Sequence, residues 1–183
     1  MINPDVIITH YARNWQTKGE SRRWRQGPTW EMPADFQVLV FPPSINRKMW
    51  TYATCGMSLQ ADATPIELHL FSPIQADQHV ELLTVVAHYH LTGDYLDVGH
   101  TVNFGRPWLT GSSCDHGLIS LPYLDGPSLE WLDVDGRQYR FLWLIPVTSS
   151  EVEFKKKYGL EALEGCFEAR SFDYLDKLRK SAI

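Results

Sequence analysis

Around Pro73 the hydrophobic pattern of this chain changes period, and that break dictates most of what the fold can be. Before it, Ile66, Leu68 and Leu70 alternate with Glu67, His69 and Phe71, the pattern of a strand with one buried face. After it, Val80, Leu83, Val86, Ala87 and His90 fall on one helical stripe that Leu82, Val85 and Tyr89 widen. The spacing predicts a helix over 77–91, stopped by Thr92-Gly93. A strand leading into an amphipathic helix has to bury both apolar surfaces, so a sheet covered by this helix is the expected core.

Other runs extend the sheet. Phe36 to Phe41, ended by Pro42-Pro43, and Trp50 to Met57 read as strands upstream. Leu118 to Leu121, Leu129 to Val134 and Gln138 to Ile145 read as strands downstream, with Pro146 expected to end the sheet. Asp135-Gly136 is the strongest hairpin signal, because a type I′ turn needs positive φ at both central residues. Asp5 to Gln16 reads as a first helix from Val6, Ile7, His10, Tyr11 and Trp15. Val152 to Tyr158, Leu160 to Phe167 and Phe172 to Lys180 read as terminal helices. Strands arrive in runs instead of alternating strictly with helices. The expected fold is therefore α+β: a central mixed or antiparallel sheet covered by one long helix, with N-terminal and C-terminal helices packed alongside.

At 183 residues, 44% hydrophobic and 21% charged, the chain suits one globular domain and not a disordered segment. Its expected core is about 36–167, preceded by a helix and a basic crossing (1–35) and overlapped at its end by C-terminal helices (148–183). The start Met1-Ile2-Asn3-Pro4-Asp5 is not a basic region followed by an apolar run, and no stretch approaches a membrane span, so a cytoplasmic location is expected. Cys55, Cys114 and Cys166 are odd in number and lack C-x-x-C spacing, which argues against a disulfide framework or a zinc knuckle.

Charge is uneven. Arg13, Lys18, Arg22, Arg23 and Arg25 stand against Glu20 alone, a local +4 that leaves −9 for the rest of a chain totalling −5. Trp15, Trp24 and Trp30 interleave with these charges, so nucleic acid is one reading of this arm. The other, which the acidic whole-chain balance favours, is a connector folded back on its own acidic domain; Lys18 to Pro33 reads as an irregular crossing.

The segment Gly93 to Gly117 reads as a long loop dense in Gly, Asp, His and aromatics, and loops of that length are usually functional or disordered. Cys114 with His116 or His100, and Asp115 to orient the base, is the sharpest catalytic reading, that of a thiol or metal hydrolase. Adjacent loop residues rarely supply that geometry, and a loop cysteine beside turn residues is the favoured alternative. His88 and His90 lie about 200° apart on a helix and cannot share a metal. The remaining His90, His100, Cys114 and His116 do not have recognisable ligand spacing, so neither metal nor cofactor is expected. Gly111-Ser112-Ser113 is too common a turn to count as an anion nest. Tyr89, Tyr95, Phe104, Trp108, Tyr123, Trp131 and Arg106 make a different case, because aromatics and Arg are enriched in interface hot spots. For Phe104 and Trp108 the competing reading is that they plug the underside of their own loop.

Five segments, in order and spacing, resemble the suppressor-of-fused domain: Trp50-Thr51-Tyr52-Ala53-Thr54-Cys55-Gly56-Met57-Ser58, Ile66-Glu67-Leu68-His69-Leu70, Glu81-Leu82-Leu83 with Ala87-His88-Tyr89, Gly99-His100-Thr101-Val102, and Phe141 to Thr148 with Glu151. The resemblance covers about two thirds of the chain and is to bacterial single-domain members. It implies a non-enzymatic binder: a holder of a transcription-factor peptide in animals, and in bacteria an immunity protein that neutralises a toxin. It further implies that Tyr89 matches a peptide-gripping tyrosine at the end of the covering helix. The acidic group that animal members carry in a Gly-Asp-His triplet is absent from Gly99-His100-Thr101. A protein-binding surface centred on Tyr89, His100, Arg106 and Trp108 is expected, with a basic toxin domain as the kind of partner that an acidic body would steer.

Overall fold

The computed structural model describes residues 2–27, 29–60 and 65–183. Helix α1 (Pro4–Trp15) begins where Asn3 accepts the Asp5 amide at 2.9 Å and Pro4 occupies the first turn, and it buries Ile7, Tyr11 and Trp15 on one face. Strands β1 (Glu20–Arg22), β2 (Gln37–Phe41), β3 (Trp50–Cys55) and β4 (Ile66–Ser72) then form an antiparallel meander. Next come α2 (Gln78–Thr92), β5 (Thr101–Asn103), β6 (Cys114–Ser120), the single turn α3 (Pro127–Glu130), β7 (Trp131–Val134), β8 (Arg137–Thr148), α4 (Ser149–Tyr158) and α5 (Leu160–Ala169).

The sheet runs β1-β2-β3-β4-β8-β6-β5, with β7 also on β8. Every pairing is antiparallel except β4 with β8, where Ile66 meets Arg140 and His69 meets Trp143. A parallel neighbour needs a crossover, and α2 is part of it. The α+β architecture read from the sequence is the one observed. Asp135 (φ 53°) and Gly136 (φ 78°) make the expected hairpin, with Val134 opposite Arg137.

Both sheet faces are covered. Val40, Tyr52, Leu68, Leu70, Leu142 and Leu144 pack with Leu83, Val86 and Ala87 of α2. On the opposite face α1 covers Leu39, Phe41, Ala53 and Phe141, and α4, α5 and the C-terminal segment cover Phe71, Leu118, Trp143 and Ile145. This corrects the reading of β4 as a strand with one buried face. All seven of its residues are buried, and Glu67 and His69 lie inside. Glu67 is tolerated because it faces only donors: the amides of Gly56 and Ser58 at 3.0 Å and the hydroxyls of Thr54 and Ser58 at 2.6 Å. Burial pushes its carboxyl above the ordinary value, and these hydrogen bonds oppose the shift.

Four further expectations are revised. The crossing from Lys18 to Pro33 contains β1, which pairs with β2, and a short 3₁₀ turn at Thr29–Glu31; Pro28 lies outside the described residues. The stretch Gly93 to Gly117 is not one loop: β5 and the start of β6 lie within it and pair Thr101 with Leu118 and Asn103 with His116. Pro146 does not end the sheet. Strand β8 runs on to Thr148 because Pro146 sits opposite Gly117 of β6 while its carbonyl accepts from Arg179 at 2.9 Å. A residue's N and C=O share one side of a strand, so the proline nitrogen also faces Arg179 and costs the ladder nothing. Finally, 172–180 is not helical. Asp173 accepts the Leu175 amide at 2.9 Å and Asp176 the Leu178 amide at 2.8 Å, local bonds that compete with a helix.

Candidate functional site

The C-terminal half of α2, the segment from Gly93 to Ser113 and strand β5 form one end of the α2 layer. Helix α2 buries Leu83, Val86, Ala87 and His90, and turns Glu81, Val85 and Tyr89 outward at a spacing of four. Val85 is 58% exposed and Tyr89 42%, so neither widens the buried stripe as their spacing suggested. Tyr89 donates to Asp94 at 3.1 Å, and that carboxylate raises the tyrosine's pKa through the hydrogen bond and its charge. Gly93 ends the helix by close approach: a Cβ there would lie 3.0 Å from the Tyr89 carbonyl and 3.3 Å from its ring.

Arg106 is half exposed and ion-paired with Glu81, which ties the segment after β5 to the first turn of α2. Between them Val85, Val86, Asn103 and Phe104 line a shallow cavity of about 200 Å³. His100 is exposed just before β5, with Nδ1 3.3 Å from the Asp97 amide and 3.2 Å from the Tyr95 carbonyl. Tyr95, 59% exposed, adds a second outward ring. Strand β5 is the terminal strand of its side of the sheet and pairs only with β6 among the described residues.

Trp108 corrects the expectation of a surface anchor. It is 2% exposed, its ring stacks on His79 at 5.5 Å, its indole donates to Ser112 at 3.0 Å, and its carbonyl accepts from Gln78 at 2.5 Å. It props the loop from beneath, so of the four residues singled out, Tyr89, His100 and Arg106 lie outside and Trp108 within. Nothing in the sequence marks Glu81 as the partner of Arg106, 25 positions away, or His79 as buried, since only the packed helix creates either relationship.

Among the described residues the ligands of the metal reading do not gather, while the catalytic reading finds its Asp115–His116 contact but not an exposed thiol. Cys114 is 1% exposed, and burial pushes its thiol up, away from what a nucleophile needs. His116 contacts Asp115 at 2.7 Å, His88 contacts Glu31 at 2.5 Å, and buried His90 accepts the Leu96 amide at 2.9 Å. Among the described residues no three His, Cys, Asp or Glu side chains gather as a metal would require. In the basic arm, Arg22 pairs with Glu20 at 3.1 Å, Arg23 donates to the Ala34 carbonyl, and Trp24 packs against the core. No described helix is long and apolar enough to cross a membrane.

The family model for suppressor of fused protein (SUFU) matches residues 33–180. The chain belongs to the suppressor of fused family. A crystal structure described as that of a SUFU homologue from Neisseria gonorrhoeae FA 1090 superposes with a TM-score of 0.86 at 33% identity, covering 98% of this chain and 96% of that one. A chain of a Sufu–Fu complex crystal structure matches with a TM-score of 0.70 at 16% identity, covering 97% of this chain and 91% of that one. Suppressor of Fused from Drosophila matches with a TM-score of 0.69 at 17% identity over 96% of this chain, which spans 50% of the length of the Drosophila chain. At those lower identities the likeness is one of fold. No curated protein sequence matches significantly.

Proposed function

We propose that this suppressor-of-fused chain is a single, non-enzymatic, protein-binding domain that acts in the cytoplasm as an immunity protein, neutralising a basic toxin domain. The observation that carries the reading is an outward aliphatic and aromatic strip, Val85, Tyr89 and Tyr95, beside Arg106 and the open edge of β5. An unpaired strand edge offers backbone hydrogen bonds to an extended segment, while neighbouring side chains select the partner. Aromatic and Arg side chains become anchors once desolvated, and a net charge of −5 steers a basic partner. Trp108 enters this reading as the support under the loop, and His100 as the group at the entrance to the β5 edge. The capture of a family relative in a Sufu–Fu complex is consistent with a binding role.

The test is coexpression with the toxin-like product of a neighbouring gene. The parent should protect cells and form a 1:1 complex, while Tyr89→Ala and Arg106→Ala should each weaken binding by about 2 kcal/mol or more if they are hot spots. Full protection by both variants would move the surface elsewhere.

A further inference from the structure

A second cavity lies on the sheet face opposite α2. Its volume is about 630 Å³, within the range of small-molecule sites. The floor comes from two register pairs of adjacent strands, Leu118 with Ile145 and Ser120 with Trp143, all pointing to the same side. Phe167 of α5 and Phe172 beyond it close the apolar wall, and Glu164 and Glu168, one turn apart on α5, stand at the rim.

Two of the residues that line this cavity each carry a buried polar atom. Trp143 is 5% exposed and Ser120 1%, yet the indole Nε1 and the Ser120 hydroxyl find no hydrogen-bond partner among the described residues. A buried donor left unmatched is costly and calls for a partner. The rim is negative: Tyr123 donates to Glu164 at 3.1 Å, and its phenol is pushed up first by burial, then by that hydrogen bond and the charges of Glu164, Glu168 and Glu130.

We propose that this cavity binds a small amphipathic amine, with an aromatic or aliphatic body between Ile145 and Phe167, a hydrogen-bonding oxygen at Trp143 and Ser120, and an ammonium group at Glu164 and Glu168. The floor supplies an indole donor and a hydroxyl, which match a phenol or alcohol. The walls supply apolar surface, and the rim supplies the countercharge. An anionic ligand of the same shape meets two carboxylates.

Calorimetric titration with three probes that differ in one group each tests the assignment: tyramine, phenethylamine without the hydroxyl, and 4-hydroxyphenylacetate with the charge reversed. Tyramine should bind about ten-fold more tightly than either of the others, the scale of one matched polar contact. Glu164→Gln with Glu168→Gln should abolish the preference over 4-hydroxyphenylacetate. Trp143→Phe should abolish the preference over phenethylamine, and Ser120→Ala should reduce it where the Trp143 variant fails to fold. No binding of tyramine up to about 10 mM, well above the range of specific recognition, or equal binding of all three probes, overturns the proposal. Tyr89→Ala, on the other face, should leave tyramine binding unchanged; a loss there would also overturn it.

Discussion

Arg179 grips Glu151 at two points: Nη1 donates to Oε1 at 2.7 Å and Nη2 to Oε2 at 2.8 Å, with the Glu151 side chain fully buried. The same carboxylate accepts the Thr148 amide that completes the α4 capping box and the Ala182 amide, both at 2.8 Å. One acidic group thus joins the end of β8, the start of α4 and the C-terminal segment. Removing one member of such a pair leaves a buried charge, so Arg179→Met should cost about 3–5 kcal/mol. Denaturant midpoints would show it. A midpoint equal to the parent's would mean that the pair does not hold the segment.

Acid should release that segment. Burial alone would raise the Glu151 carboxyl, but the hydrogen bonds and charge of Arg179 outweigh it and hold the folded value below the ordinary one. A depressed carboxyl stabilises the fold above its unfolded value, about 4.3, and that contribution is lost as pH falls through the lower folded value. Amide exchange of 176–183 should therefore accelerate below about pH 4. In Arg179→Met the acid-dependent step should shrink.

Histidine burial sets a second, milder window. His69 and His79 are pushed down to about 3 by burial, and Arg47 adds to the effect at His69. Unfolded histidine takes up its proton near 6.5, so between about 6.5 and 3 the unfolded chain binds more protons and stability falls as pH falls. His69 has no hydrogen bond at either ring nitrogen among the described residues and sits against Trp15 and Phe71. His69→Phe should keep the packing and flatten the pH slope by about 1.4 kcal/mol per unit, the value for one proton. An unchanged slope in urea titrations at pH 5 and 7 would rule this out.

Stability and binding should separate at the candidate interface. Trp108→Ala should cost about 3–5 kcal/mol as the truncation of a buried aromatic. Tyr89→Ala and Arg106→Ala, at half-exposed positions, should stay within about 0.5–1 kcal/mol of the parent. Thermal melts of the three variants are sufficient to decide it.

What could be read from the sequence follows from how local each signal is. The change of period at Pro73, the Asp135-Gly136 turn and the Asn3-Pro4 helix start depend on neighbours in the chain, and all three appear in the fold. Strand β5 does not announce itself, because Thr101, Val102 and Asn103 are too few to show alternation and become a strand only by pairing with β6. Trp108 looks like any aromatic in a Gly-rich segment until His79 and Ser112 surround it. Apolar spacing in 172–180 suggested a helix, but the Asp173 and Asp176 side chains bond the backbone first. Tyr89, His100 and Arg106 were legible as members of the candidate site; the outward turn of Val85 and the link from Arg106 to Glu81 were not.

The parallel pairing of β4 with β8 also sets a timetable for folding. Ile66 must wait for Arg140, 74 positions later, before the middle of the sheet can close. During synthesis the meander from β1 to β4 can assemble early, leaving Ile66, Leu68 and Leu70 on a strand whose next neighbour has not yet left the ribosome. Contacts of such long range slow folding, and an open apolar strand is an invitation to pair with the wrong chain. The nascent protein is therefore most vulnerable to misassociation between the emergence of β4 and that of β8, and a chaperone binding site within 66–72 would fall in that interval.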